Sequence, residues 1–203
     1  AYDEMVHDVA MQNQKVVLAV DRAGFVGEDG RSHQGLLDVA FMRSIPGSVI
    51  YSPSSYDELG IVLKKAIYGE GNVIAVRYPR GTDKTTFDKT SLNTEYTHIE
   101  NKNSKILLIT YGRIYDNMYK AQSILNADKI YCDLLKFTRI YPLPENITDK
   151  LVKYDKIFFF EECMGDGSIS EKLGNMLMKA NYKGKYESIT AGKFVKQASV
   201  ESC

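Results

Sequence analysis

Arg22, Asp29 and His33 fall within one glycine-rich stretch, and Arg80 stands just past the end of a second apolar run. Together they are the side chains of this sequence best equipped to hold a small anion and move a proton on it. The stretch reads Asp21-Arg22-Ala23-Gly24-Phe25-Val26-Gly27-Glu28-Asp29-Gly30-Arg31-Ser32-His33-Gln34-Gly35. Its glycines permit positive φ and let the backbone approach a ligand closely. Arg22 and Arg31 carry guanidinium forks that match phosphate oxygens. Asp29 adds a carboxylate, and His33 adds an imidazole, the side-chain type suited to proton exchange near neutral pH. The second element is Val76-Arg77-Tyr78-Pro79-Arg80-Gly81. If both segments end parallel strands, Arg22 and Arg80 face the same sheet edge and can converge on one anion. The ordinary reading competes: a solvated glycine-rich loop and two unrelated surface arginines, since loops serve plain connection as well as function. Gly-x-Gly-x-x-Gly and the Walker lysine motif are both absent, so this is neither a dinucleotide fingerprint nor a P-loop.

Other reactive residue types are less organised. Glu161-Glu162-Cys163 follows an apolar run, but adjacent carboxylates at a strand end are more often solvated or cap a helix than work as an acid–base pair. Cys163 has no histidine near it in sequence to supply the cation a thiolate needs. Cys132, Cys163 and Cys203 are irregularly spaced and form no CxxC pair, which points to reduced thiols rather than a disulfide framework. His7, His33 and His98 lie too far apart to form a local metal site, and no metal ligand is assigned. The tyrosines are scattered and make no stacking platform for bases.

The elements that must position the first group alternate short β-branched runs with helical patterns, as in α/β folds with a mostly parallel sheet. Val16 to Val20 is continuously apolar, as expected of a strand buried on both faces. Ser48 to Tyr51 and Val73 to Tyr78 are further strands, the last stopped by Pro79. Between them Ser55 and Glu58 have capping-box spacing, followed by Leu59, Val62, Leu63, Ala66 and Ile67 at helical intervals. Residues 82–104 are rich in Thr, Asn, Asp and Lys and read as a linker with an edge strand near Tyr96 to Glu100. A second unit follows, with strands at Ile106–Thr110, Lys129–Leu134, Lys156–Phe160 and Tyr186–Thr190. Helices are expected near Tyr115–Asn126, Glu145–Tyr154 and Ile169–Ala180. Two small α/β domains are the economical summary.

The chain has 203 residues, 26 Lys+Arg against 26 Asp+Glu, so its formal charge is zero and long-range attraction to nucleic acid or anionic lipid is not expected. A charged fraction of 26% with 44% hydrophobic residues is a globular composition, not a disordered one. No apolar run approaches the roughly 20 residues of a membrane span, and the first residues have neither the basic nor the apolar part of a signal peptide.

Residues 17–35, Val-Leu-Ala-Val-Asp-Arg-Ala-Gly-Phe-Val-Gly-Glu-Asp-Gly-Arg-Ser-His-Gln-Gly, closely resemble the pyrimidine-domain loop of the 1-deoxy-D-xylulose 5-phosphate synthases, a family of transketolase-like thiamine diphosphate enzymes. The Gly-x-Asp-Gly-x-Ser/Thr-His core is shared more widely among transketolase-like enzymes, and Asp21-Arg22-Ala23-Gly24 narrows it to these synthases. Agreement continues through Arg43-Ser44-Ile45-Pro46, Ser52-Pro53-Ser54 and Ala75 to Gly81, and residues 105–198 look, more loosely, like the family's C-terminal domain. The resemblance implies a pyrimidine-binding half-domain at 1–81, a linker at 82–104 and a transketolase C-terminal-like domain at 105–203.

It further implies a decarboxylative condensation of pyruvate with glyceraldehyde 3-phosphate, feeding isoprenoid, thiamine and pyridoxal synthesis, with thiamine diphosphate and Mg2+ as cofactors. Arg22 and Arg80 would hold the acceptor's phosphate, His33 would serve proton transfers near the thiazolium carbon, and Asp29 would orient the reacting groups beside it. A cytoplasmic homodimer is expected. The glutamate that contacts the aminopyrimidine and the diphosphate-binding domain with its magnesium ligands fall outside the matched segment. These 203 residues alone are therefore expected to be inactive, with no cofactor-binding residue assigned within them. The alternatives are another transketolase-like enzyme, such as the β component of a 2-oxoacid dehydrogenase, or a non-catalytic dimerisation module. Tyr111-Gly112-Arg113 and Gly165-Asp166-Gly167 depart from the family pattern, at positions distant in sequence from the proposed pocket.

Overall fold

The computed structural model describes residues 2–82, 95–101 and 103–198. Most of the expected linker, residues 83–94 and 102, lies outside the described residues, as does Cys203. A helical turn α1 (Tyr2–Glu4) runs into a π-helical turn (Met5–Ala10) and then β1 (Val16–Val20). After the glycine-rich loop come α2 (Asp38–Arg43), β2 (Ser48–Tyr51), α3 (Tyr56–Tyr68) and β3 (Val73–Arg77). The second half begins with β4 (Tyr96–Ile99), β5 (Ile106–Tyr111) and α4 (Tyr115–Ala127). It continues through β6 (Cys132–Phe137), β7 (Arg139–Tyr141) and α5 (Ile147–Leu151) to β8 (Lys156–Met164), α6 (Ile169–Lys179) and β9 (Lys185–Ala191).

Two mostly parallel sheets result. The first has the order β1-β3-β2-β7 and the second β4-β6-β5-β8-β9. Strands β1 and β2 flank β3 in parallel, with Val16 and Ser48 both opposite Val73. Their carboxyl ends therefore share one edge. The loop after β1 and the Tyr78–Gly81 segment after β3 leave it side by side, which is where ligands collect in open α/β sheets. Among the described residues, only β4 and β7 run antiparallel to their neighbours.

Several elements differ from the sequence expectation for identifiable reasons. Strand β6 begins at Cys132, because Lys129, at φ 64°, closes the end of α4 and Ile130 N–H returns to the Leu125 carbonyl. It continues past the expected end at Leu134 to Phe137, and the charge of Lys136 within it is paired inside the protein. Strand β8 runs on past Phe160 to Met164 with alternating burial, so Glu161 and Cys163 face the same side as Ile157 and Phe159. Helix α2 and strand β7 have too few residues to produce a readable period.

One apolar cluster joins the two sheets, beside a smaller cluster in each half. Val39, Met42, Ile50 and Ala75 from the first half pack in the same cluster as Ile109, Phe137, Ile140, Ile157 and Phe159 from the second. Strand β7 crosses over to complete the first sheet, placing Tyr141 opposite Ile50. A buried polar knot joins the halves nearby. Ser55 caps α3 by accepting from Glu58 N–H at 3.3 Å, but the Glu58 carboxylate does not return to the cap residue as in a capping box. It accepts from Ser54 N–H at 2.7 Å and from Thr138 Oγ1 at 2.7 Å, and it pairs with Lys136 Nζ. Glu58, Lys136 and Thr138 are all buried, and the Lys136 ammonium also lies over the Tyr115 ring at 5.2 Å. Among the described residues no helix is long and apolar enough to cross a membrane.

Removing one partner of a buried ion pair strands the other charge. Lys136→Ala is therefore expected to cost about 3–5 kcal/mol in urea unfolding, while the paired Glu58→Gln/Lys136→Met protein recovers most of that loss.

Candidate functional site

The chain leaves β1 at Val20 and closes a loop on itself before entering α2. Gly24 N–H bonds the Gly35 carbonyl and Gly35 N–H bonds the Arg22 carbonyl, each at 3.0 Å, while Ala23 N–H reaches the Tyr78 carbonyl at 3.0 Å. Gly35 is required there, because a Cβ would sit 2.5 Å from the Arg22 carbonyl oxygen. Gly24, at φ 80°, is required for a second reason: its Cβ would meet Glu162 Oε2 at 2.7 Å. Arg22 itself takes φ 61°, unusual for a residue with a side chain, and its N–H bonds Asp21 Oδ1 at 2.7 Å.

This backbone brings Arg22 and Arg80 together on one carboxylate. Arg22 Nε donates to Asp29 Oδ2 at 2.8 Å, and Arg80 Nη1 donates to Asp29 Oδ1. Arg22 also pairs with Asp21, and Arg80 with Glu28 at 3.2 Å. The hydrogen bond from Arg22, followed by that from Arg80, holds the Asp29 carboxyl below its ordinary range, so the bridge stays ionised at neutral pH. His33 lies elsewhere on the loop, ending a 3-10 turn (Arg31–His33) with its ring exposed and hydrogen-bonded to Ser32 Oγ at 2.9 Å. The structure thus gathers three of the four sequence candidates; among the described residues, the His33 ring bonds its neighbour Ser32 rather than Asp29 or either guanidinium.

Residues that attracted no functional reading support the loop from beneath. Arg77, 3% exposed, donates Nε to Asp38 Oδ2 at 2.6 Å and Nη2 to the carbonyls of Gly35 at 2.7 Å and Glu162 at 3.1 Å. Glu162, at the end of β8, is gripped by Arg113 Nε and Nη2 at 2.5–3.1 Å. Of the two segments that depart from the family pattern, the first reaches the loop, since Arg113 holds the carboxylate against which Gly24 packs, while Gly167 of the second abuts Ala40 of α2. Glu161 plays the capping part, accepting from Ile169 N–H at 3.2 Å and Ser170 N–H at 2.8 Å at the start of α6. Burial pushes the thiols of Cys163 and Cys132 up, the latter to about 11, so neither is a thiolate at neutral pH.

One histidine does meet carboxylates in space. His98, Glu100 and Asp133 offer ligand atoms within 4.8 Å of one another. Those atoms are already engaged: His98 Nε2 with the Tyr154 hydroxyl at 3.1 Å, Asp133 with Tyr154 and Asn101 N–H, and Glu100 with Lys153 at 2.6 Å. The cluster is a hydrogen-bonded brace.

Residues 1–83 match the family model for the transketolase pyrimidine binding domain, and residues 95–202 that for the transketolase C-terminal domain. Among curated proteins, the 1-deoxy-D-xylulose-5-phosphate synthase of Helicobacter pylori (strain G27) is 34% identical over 184 residues, covering 89% of this chain and 30% of the relative. That of Brevibacillus brevis is 35% identical over 208 residues, covering 99% and 33%. The chain thus spans about a third of the length of these relatives. Among solved structures, a split gene transketolase, described as an inactive beta4 tetramer, superimposes with a TM-score of 0.78 at 18% identity, covering 100% of this chain and 66% of that one. Transketolase from Campylobacter jejuni gives 0.70 at 14% identity, covering 92% and 28%.

Two outcomes follow from this geometry. Gly35→Ala should cost about 1–3 kcal/mol in denaturant unfolding, since the clash is with backbone. Gly60→Ala, in an exposed turn of α3 with open space around its Cβ, should instead gain about 0.5–1 kcal/mol. Burial holds the His98 pKa below its ordinary 6.5 despite Glu100 and Asp133. Its contribution to stability is then complete above that value and falls as pH drops from it towards the lower folded pKa, a slope that His98→Asn should flatten in urea titrations at stepped pH.

Proposed function

The chain belongs to the transketolase family, and from that premise we propose that it forms the acceptor-phosphate side of a thiamine diphosphate-dependent 1-deoxy-D-xylulose 5-phosphate synthase. The reaction is the decarboxylative condensation of pyruvate with glyceraldehyde 3-phosphate, releasing CO2. One observation carries the reading: Arg22 and Arg80, from loops after two parallel strands, meet at Asp29 on the carboxyl edge of the sheet. Two guanidiniums held a carboxylate's width apart match a phosphate dianion, to which each can still present N–H groups.

The roles follow from this chain's own residues. Arg22 and Arg80 bind the phosphate of the aldehyde. Asp29 sets the spacing of the two forks and stands in for the anion until substrate arrives. Three carboxylates, Asp21, Glu28 and Asp29, face the two cations, so an incoming phosphate competes for donors already in use. His33, exposed on the same loop, takes and returns protons at the reacting oxygens. Thiamine diphosphate supplies the carbanion chemistry when bound. The described residues do not fit its diphosphate and Mg2+: the guanidinium pair suits a terminal phosphate ester, and the one histidine–carboxylate cluster is internally satisfied. No cofactor-binding or metal role is therefore given to this chain, and no turnover is expected from these 203 residues by themselves.

We read residues 1–81 as part of the pyrimidine-binding domain, 82–104 as the connection and 105–203 as the C-terminal domain of a cytoplasmic homodimer. Exposed Leu37 and Phe41 around α2, and Ile67 and Tyr68 on α3, support self-association.

Calorimetric titration with glyceraldehyde 3-phosphate is expected to show Arg22→Ala and Arg80→Ala each binding about 10–100-fold more weakly than the parent chain, the worth of a hydrogen bond to a charged group. Equal affinity in all three would overturn the phosphate assignment. Product analysis of the native protein, supplied with pyruvate, glyceraldehyde 3-phosphate, thiamine diphosphate and Mg2+, should yield 1-deoxy-D-xylulose 5-phosphate. Acyl transfer to lipoamide would point instead to a 2-oxoacid dehydrogenase, and self-association without phosphate affinity to a dimerisation module.

A further inference from the structure

Beyond β9 the chain turns back and runs along the outer side of the glycine-rich loop. Gln34, next to His33 and only 8% exposed, uses both ends of its amide on a single backbone residue. Its Nε2 donates to the Val195 carbonyl at 2.9 Å, and its Oε1 accepts from Val195 N–H at 3.1 Å. Two further bonds continue the contact in reverse order along the loop. Gln197 Nε2 donates to the Glu28 carbonyl at 3.0 Å, and Ala198 N–H donates to the Gly27 carbonyl at 3.0 Å. Gln197 Cβ lies 3.7 Å from where a Cβ on Gly30 would stand.

These bonds fall where the loop's own backbone bonding is sparse. Its base is fixed by Arg77, Gly24 and Gly35, and Arg22 and Arg80 hold the side chains of Asp29 and Glu28, but among the described residues the backbone bonds within its outer turn are Gly30 N–H to Gly27 carbonyl at 3.3 Å and His33 N–H to Gly30 carbonyl at 3.4 Å. Both are long for amide hydrogen bonds. The tail contacts bracket Asp29, through Glu28 and Gly27 on one side, and adjoin His33 through Gln34 on the other. A buried amide that satisfies the donor and acceptor of one backbone residue resembles a rung of strand pairing. Losing it strands both of its polar ends in the interior.

We propose that the segment Val195–Ala198 is a strap that positions the Asp29 and His33 side chains, and that Gln34 is the positioning residue through which it acts. The consequence for ligand rests on the phosphate reading of the loop; the strap itself does not. Docking of the strap and binding of a phosphate ester then stabilise one loop conformation and strengthen each other reciprocally. The strap comes from the end of the second half of the chain, so it makes the first half's ligand loop answerable to the second.

The test uses the full chain with Gln34→Ala, Val195→Pro, which removes the N–H that Gln34 Oε1 accepts, and the two combined. Amide hydrogen exchange is read in the absence of ligand, alongside the His33 ring resonances and titration with glyceraldehyde 3-phosphate. Each single change is expected to speed exchange at Gly30, His33 and Ala198 by about tenfold or more and to shift the His33 resonances, while the amides of β3 and β8 keep their protection. The double variant should match the singles, since both remove one interaction. Unchanged protection in the loop, additive effects, or loss of protection throughout the sheets would overturn the strap. Faster loop exchange in a protein whose parent chain has no affinity for the phosphate ester would uphold the strap and overturn the phosphate reading instead.

Discussion

The guanidinium of Arg77 is the tie on which the rest of the site depends. It is buried at the end of β3, where burial opposes its charge and Asp38 more than compensates, so it stays protonated. Its remaining N–H groups bind the carbonyls that end the ligand loop and β8. A fixed fork of donors can hold a side chain and two peptide carbonyls at once, which a lysine ammonium does with less geometric control. Three segments distant in sequence are thereby pinned at the carboxyl edge of the first sheet. The guanidinium carbon also lies over the Tyr111 ring, 5.7 Å from its centroid, which adds a second-half residue to the same cation.

The interior is built to keep the halves together. Apolar side chains from both sheets fill one cluster, and β7 is lent by the second half to the first sheet. The Glu58–Lys136–Thr138 knot is fully buried yet supplied with partners, which is what makes a charge tolerable in a core. Such a pair adds less stability than apolar packing would, but it penalises any arrangement of the halves in which the two charges fail to meet. A ligand loop that draws support from Arg77 in one half and from Glu162 and Val195 in the other needs that relative placement to be unique.

Much of the framework was legible in the residues. Val16–Val20 and Ser48–Tyr51 are strands at the boundaries their apolar runs suggest, and Ser55 caps α3 as its spacing with Glu58 implies. These are local matters, set by backbone preference, period and turn chemistry. The meeting of Arg22 with Arg80 could be reasoned because parallel strands send their following loops to one edge. Other features had no local signal. The pairing of Lys136 with Glu58 has none, Glu162 reads as a solvated carboxylate until Arg113 is beside it, and Gln34 is one polar residue among several in its loop.

The sequence by itself determined the elements, their α/β alternation and the glycine-rich loop with its charged residues, because helix and strand periods, caps and glycine conformations depend on near neighbours along the chain. Only the tertiary structure decided which charges are buried, that Asp29 bridges Arg22 to the distant Arg80, and that the tail lies across the loop. Those outcomes depend on partners dozens to more than a hundred residues apart. The free energy of a buried charge or amide is fixed by what surrounds it in space, and no local pattern encodes that neighbour.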